Sequence, residues 1–129
     1  MLKDFLLVGL GGALGSMMRY GIGRAGLALQ LSCWGFPVAT FTVNILGSLL
    51  IGVLGGIFQH AFPQIPVGYQ LLLVTGFCGG FTTFSTFSNE TFALLESGAY
   101  VMAGSYVVLS LVIGLLAVWA GYTLGLRWG

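Results

Sequence analysis

Gly76-Phe77-Cys78-Gly79-Gly80-Phe81-Thr82-Thr83-Phe84-Ser85-Thr86-Phe87-Ser88-Asn89-Glu90 is the stretch on which the fold turns. Three glycines and then a run of hydroxyl residues fall inside an apolar segment reaching from about Val67 to Leu95. Glycine and β-branched threonine are mediocre helix formers, so this composition predicts a helix that comes apart partway along. In hydrocarbon such a break frees backbone carbonyls and amides that need partners. It is tolerated where it lines a cavity or holds an ion. Freed carbonyls suit a hard cation, and the N-terminus of the following half-helix suits an anion.

The rest of the chain says that the surrounding medium is lipid. Charged residues make up 5% of the 129 residues, against about 25% in a soluble domain. The hydrophobic fraction is 57% and glycine occurs 22 times, a mixture suited to helices that approach closely in a bilayer. A net charge of +1 offers no basic face for nucleic acid. Four stretches reach the roughly 20 apolar residues that a spanning helix needs: about residues 5–29, 37–59, 67–95 and 100–126. The first is too long and too rich in glycine for a cleavable signal peptide. Pro37 suits a helix start, Pro63 and Pro66 separate the second span from the third, and Glu96-Ser97-Gly98 turns into the fourth. The expected fold class is therefore an all-α membrane protein, a single domain of four transmembrane helices with the third broken mid-membrane.

Lysine and arginine near span ends set orientation, yet here Lys3 and Arg127 on one side balance Arg24 and Arg19 on the other. Such a chain could insert both ways or follow a weak residual bias, and charge counting does not separate the two. Cys33 and Cys78 read as buried free thiols, and His60 as an interfacial loop residue.

Within the spans, polar side chains form stripes. Thr40, Asn44, Ser48, Gly52 and Gly56 are each four residues apart and share one helix face. A buried amide such as Asn44 needs a partner, supplied either by another helix or by something passing along a path. Gly11 and Gly15 read as helix packing. Arg19, on the same spacing, is either a snorkelling anchor or a charge at an aqueous vestibule that gathers anions. Phe84 and Phe87 are three apart, beside a polar face of Thr83, Thr86 and Glu90. The spacing alone suits packing, but a ring edge carries positive potential and could meet a small anion in a pore. Tyr106, Ser110 and Gly114 share a face of the fourth span, where hydroxyls can serve an anion or a carbonyl one turn back.

Gly11-Gly12-Ala13-Leu14-Gly15-Ser16-Met17-Met18-Arg19-Tyr20, Thr40 with Asn44 and Gly47, and above all Gly76 through Glu90 make the sequence resemble the Fluc family of small fluoride channels. The resemblance implies an antiparallel homodimer inserted in both topologies in the cell inner membrane, with two fluoride pathways and a central structural sodium ion. It implies that the backbone carbonyls of Gly79 and Thr82 from both chains hold the sodium. By the same likeness Phe84 and Phe87 present ring edges to fluoride and Asn44 is the pore-lining amide. Ser85, Thr86 and Tyr106, with Ser110 beyond them, belong to a hydroxyl track. Arg19 resembles the family's vestibule arginine, Thr40 belongs to the shared motif, and Glu90 resembles a carboxylate near the pore. Fluoride is small and strongly hydrated, so a pore must replace its water with donors while keeping each site weak enough to leave. Passive fluoride export, driven by the membrane potential, is the implied task.

A proton-coupled exporter of multidrug or guanidinium compounds is the alternative of similar size. It would need a carboxylate in the middle of a span, but the first span has none after Asp4, and Glu90 lies late in the third. A subunit that only packs against a partner would leave the hydroxyl run unexplained. An enzyme is excluded by the lack of a His, Cys and carboxylate cluster or of a nucleophile paired with a base.

Overall fold

Apolar runs free of internal proline become long helices here, because in lipid the helix satisfies its own backbone. The computed structural model describes residues 1–29, 35–61 and 65–128. Helix α1 is Leu2–Ala28 and α2 is Val38–Gly56, the latter capped by Pro37 and continued by a π-helical turn over Ile57–Ala61. Helix α3 starts after Pro66 and runs through Val67–Gln70, a π-helical stretch Leu71–Cys78 and a final turn Gly79–Phe81. Thr82 (φ −84°, ψ 159°) and Thr83 (φ −151°, ψ 119°) are extended, and α4, Phe84–Glu96, follows. Helix α5 is Tyr100–Arg127. Among the described residues, four segments are long and apolar enough to cross a membrane: Leu2–Ala28, Val38–Gln59, Val67–Glu96 and Tyr100–Arg127. The backbone of His60 lies in the π-helical turn rather than in the connection where the sequence reading put it. Cys33 and Pro63 lie outside the described residues.

Gly98 reverses the chain between α4 and α5. Its φ of +84° is left-handed, a conformation glycine adopts at little cost. The Ala99 amide reaches back to the Leu94 carbonyl at 2.9 Å and the Gly98 amide to Leu95 at 3.1 Å, a full Schellman cap that satisfies the orphan carbonyls of α4.

Main chain, rather than side-chain bulk, joins the helices. A Cβ on Gly11 would collide with the Leu72 carbonyl, one on Gly15 with the Phe77 carbonyl, and one on Gly80 with backbone atoms of Gly12. Helix α1 therefore lies directly on α3. A second seam joins α2 to α5, where Gly52 and Gly56 face the carbonyls of Val118 and Tyr122, and Gly121 and Gly125 face those of Leu49 and Val53. With no hydrophobic drive between helices in lipid, this close packing supplies the association. Among the described residues the fully buried large side chains are few, Tyr106, Val43 and Cys78. Leu and Val side chains along α1 and α5 point outward, as a lipid-facing surface requires.

Candidate functional site

The extended pair Thr82–Thr83 is the centre of the polar chemistry. In a continuous helix the Thr83 N–H would donate to the Gly79 carbonyl, four residues back. Here it donates to Asn44 Oδ1 at 2.9 Å, while Asn44 Nδ2 donates to the Thr83 carbonyl at 3.3 Å. Thr83 offers one donor and one acceptor, so a single orientation of the amide satisfies both. Asn44 thus holds one peptide unit of the extended pair with both ends of its side chain. Gly47, one turn further along α2, makes room for Thr82, since a Cβ there would strike the threonine methyl.

The other loose ends are partly claimed. The Cys78 carbonyl accepts from both the Thr82 amide at 3.0 Å and the Thr82 hydroxyl at 2.8 Å. The Gly80 carbonyl accepts from Arg19 Nε at 3.2 Å and, more weakly, from the Ser16 hydroxyl at 3.5 Å. The Gly79 and Thr82 carbonyls accept no hydrogen bond from the described residues. The Thr83 hydroxyl caps α4 by accepting from the Thr86 amide at 3.2 Å. It also donates to the Thr86 hydroxyl at 3.0 Å.

Two grooves flank this point, and Thr83 lines both. The first, about 460 Å³, is lined by Asn44, Ser48, Gly79, Thr82, Phe84, Phe87 and Ser110. The second, about 500 Å³, is lined by Arg19, Arg24, Thr40, Thr83 and Thr86. The structure therefore brings most of the sequence-derived residues to one region. Phe84 and Phe87 lie 6.1 Å apart between ring centroids. Their surroundings differ, because Phe87 packs on Tyr106 at 4.9 Å whereas Phe84 is 80% exposed. Tyr106 is fully buried, with Phe36 edge-on to its ring at 5.3 Å. The hydroxyls of Tyr106 and Ser110 are buried and have no hydrogen-bond partner among the described residues. Ser110 is in the first groove, whereas Ser85 is exposed and lines neither groove. Thr40 donates to Glu90 at 2.5 Å, tying α2 to α4.

Residues 6–122 match the family described as CrcB-like protein, Camphor Resistance (CrcB). The chain belongs to the CrcB family. Its CrcB relatives include proteins named fluoride-specific ion channel FluC. The one from Methylobacillus flagellatus is 47% identical over 121 residues, covering 92% of this chain and 91% of the relative. The FluC of Leptospira interrogans serovar copenhageni is 47% identical over 120 residues, with the same coverage. That of Chlorobaculum tepidum is 46% identical over 127 residues and 98% of both chains. The similarity first seen in three short motifs thus extends over nearly the whole CrcB chain, and with its four apolar helices the protein is a multi-pass membrane protein.

Two participants escaped the sequence reading. By sequence Gly80 is only a helix breaker, whereas its carbonyl accepts from Arg19 and Ser16. The sequence pattern puts Thr83 on a polar face, whereas it caps α4. A threonine directly ahead of a helix start is the available signal.

Proposed function

We propose that this protein is a fluoride channel that lowers cytoplasmic fluoride by passive export across the inner membrane. The observation that carries the reading is a pair of buried hydroxyls, Tyr106 and Ser110, with no hydrogen-bond partner among the described residues, beside Phe87 and the groove it lines. A buried hydroxyl without a partner is costly, and a passing anion is a natural acceptor for it. The names of the FluC relatives give the anion its identity.

In this reading fluoride enters through the groove of Arg19 and Arg24, whose charge raises the local anion concentration. It then exchanges water for donors and ring edges. Asn44, Phe84, Phe87, Ser85, Thr86, Tyr106 and Ser110 form that track, with Thr40 and Glu90 at its side. Each contact is weak enough to release the ion, which conduction requires.

The working unit in this proposal is an antiparallel homodimer in the bilayer with two pores. The balance of Lys3 and Arg127 against Arg19 and Arg24 supports insertion in both directions. The exposed Phe84 and the open groove beside it suit a partner chain as the missing wall. The third span is then read as broken mid-membrane at Thr82–Thr83, with a structural sodium at the twofold axis. The residues fit such an ion. Gly79 and Thr82 offer hard carbonyl oxygens with no donor among the described residues, beside an open groove. Once bound, sodium supplies a fixed positive charge that steadies the anion path.

The deciding experiment is fluoride efflux from liposomes holding the purified protein, followed with a fluoride electrode and with chloride as control. Efflux no faster than from empty liposomes would remove the channel reading.

A further inference from the structure

We infer that Asn44 is the residue that keeps the Gly79 carbonyl available to a cation. This rests on the sodium reading above and gives Asn44 a task other than contacting the anion. The argument is one of hydrogen-bond accounting. A buried backbone N–H finds an acceptor, and for Thr83 two are within the logic of the fold: the Gly79 carbonyl, by the helical ladder, and the Asn44 amide oxygen. The structure has the second, at 2.9 Å. The neighbouring Thr82 N–H still obeys the ladder, donating to Cys78 at 3.0 Å. The break therefore begins at the one amide that Asn44 captures.

Each end of the side chain has a separate effect. Oδ1 takes the Thr83 proton and so leaves the Gly79 oxygen free. Nδ2, bonded to the Thr83 carbonyl at 3.3 Å, steadies the same peptide in its extended form. Without the acceptor, the Thr83 N–H has every reason to return to Gly79 and occupy the oxygen. Gly79 is exposed and lines the first groove, so its freed oxygen lies where an ion can reach it. Asn44 is a positioning residue for the cation, acting through Thr83.

The two ends can be separated by substitution. Asn44→Ala removes both, whereas Asn44→Asp keeps an oxygen for the Thr83 N–H and puts a carboxyl in the anion path. The measurement is the thermal unfolding midpoint of the purified dimer, titrated with sodium chloride against N-methylglucamine chloride, alongside fluoride efflux. The wild type should rise in midpoint with sodium. Asn44→Asp should lose efflux yet keep that rise. Asn44→Ala should need about tenfold more sodium for the same rise, or show none, as loss of roughly 1.4 kcal/mol of site organisation implies. A merely structural role would lower the Asn44→Ala midpoint equally in both salts. An unchanged sodium titration in Asn44→Ala, or a sodium response lost in Asn44→Asp, overturns the inference while the sodium reading stands. A wild type blind to sodium overturns both. If Asn44→Ala does not assemble, Asn44→Leu, of similar volume and without polar atoms, replaces it and Asn44→Asp still decides.

Discussion

Thr40 and Glu90, 50 positions apart in sequence, share a 2.5 Å hydrogen bond that fastens the start of α2 to the middle of α4. It is the one side-chain bond among the described residues that joins α2 directly to the body of α4. Thr40→Val removes the donor while keeping the shape. It should lower stability by about 1–3 kcal/mol, because the acceptor stays half-buried without its partner. Thr40→Ser should recover most of the loss. Chemical denaturation of the detergent-solubilised protein, followed by tryptophan fluorescence, checks both.

Phe84 and Phe87 separate flux from folding. Phe84→Ile should depress fluoride efflux while leaving the fold of each chain near the wild type, because the ring is 80% exposed in the chain. Phe87→Ile should depress efflux and also cost about 1 kcal/mol, since it loses the ring contact with Tyr106 at 4.9 Å. Unchanged efflux in either variant would argue against ring-edge coordination at that position.

Arg19 is held by a backbone oxygen, and this gives it a structural value independent of any anion. Arg19→Met should destabilise the protein by about 1.5–3 kcal/mol, the range for a bond to a charged donor. Arg19→Lys should recover only part of this, because the bond is made by Nε, which lysine does not place there. Unfolding midpoints of the three proteins side by side give the answer.

The glycines should divide sharply. Gly11→Ala and Gly52→Ala put a methyl into backbone atoms of the facing helix and should prevent recovery of folded protein. Gly9→Ala meets nothing within 4 Å and should be neutral or stabilising by about 0.5–1 kcal/mol. Size-exclusion profiles after purification are sufficient to tell them apart.

Much of this was legible in the residues alone. Span number and approximate limits follow from apolar run length, which is a property of each segment by itself. Pairing of helices does not. Spacing of four marks Gly11 with Gly15 and Gly52 with Gly56 as narrow faces, but nothing in a single helix says that Gly121 and Gly125 lie opposite the latter pair. The polar stripe on α2 illustrates the same limit. Thr40 and Asn44 meet the third span while Gly52 and Gly56 meet α5, because a row four residues apart drifts around the helix. Arg19 was open between water and lipid surface, and the missing piece was the Gly80 carbonyl, which is available only because the neighbouring chain is extended. Asn44 was open between a helix contact and a path, and its bonds to Thr83 depend on the same local geometry.

The two glycine seams have a wider consequence. Where helices touch through their main chains, there is no interdigitated packing of bulky groups to repack, so internal cohesion and outer appearance become separable. Leu115, Trp119 and their neighbours on α5 can then vary with the thickness and composition of the host membrane while the internal contacts of the chain stay as they are.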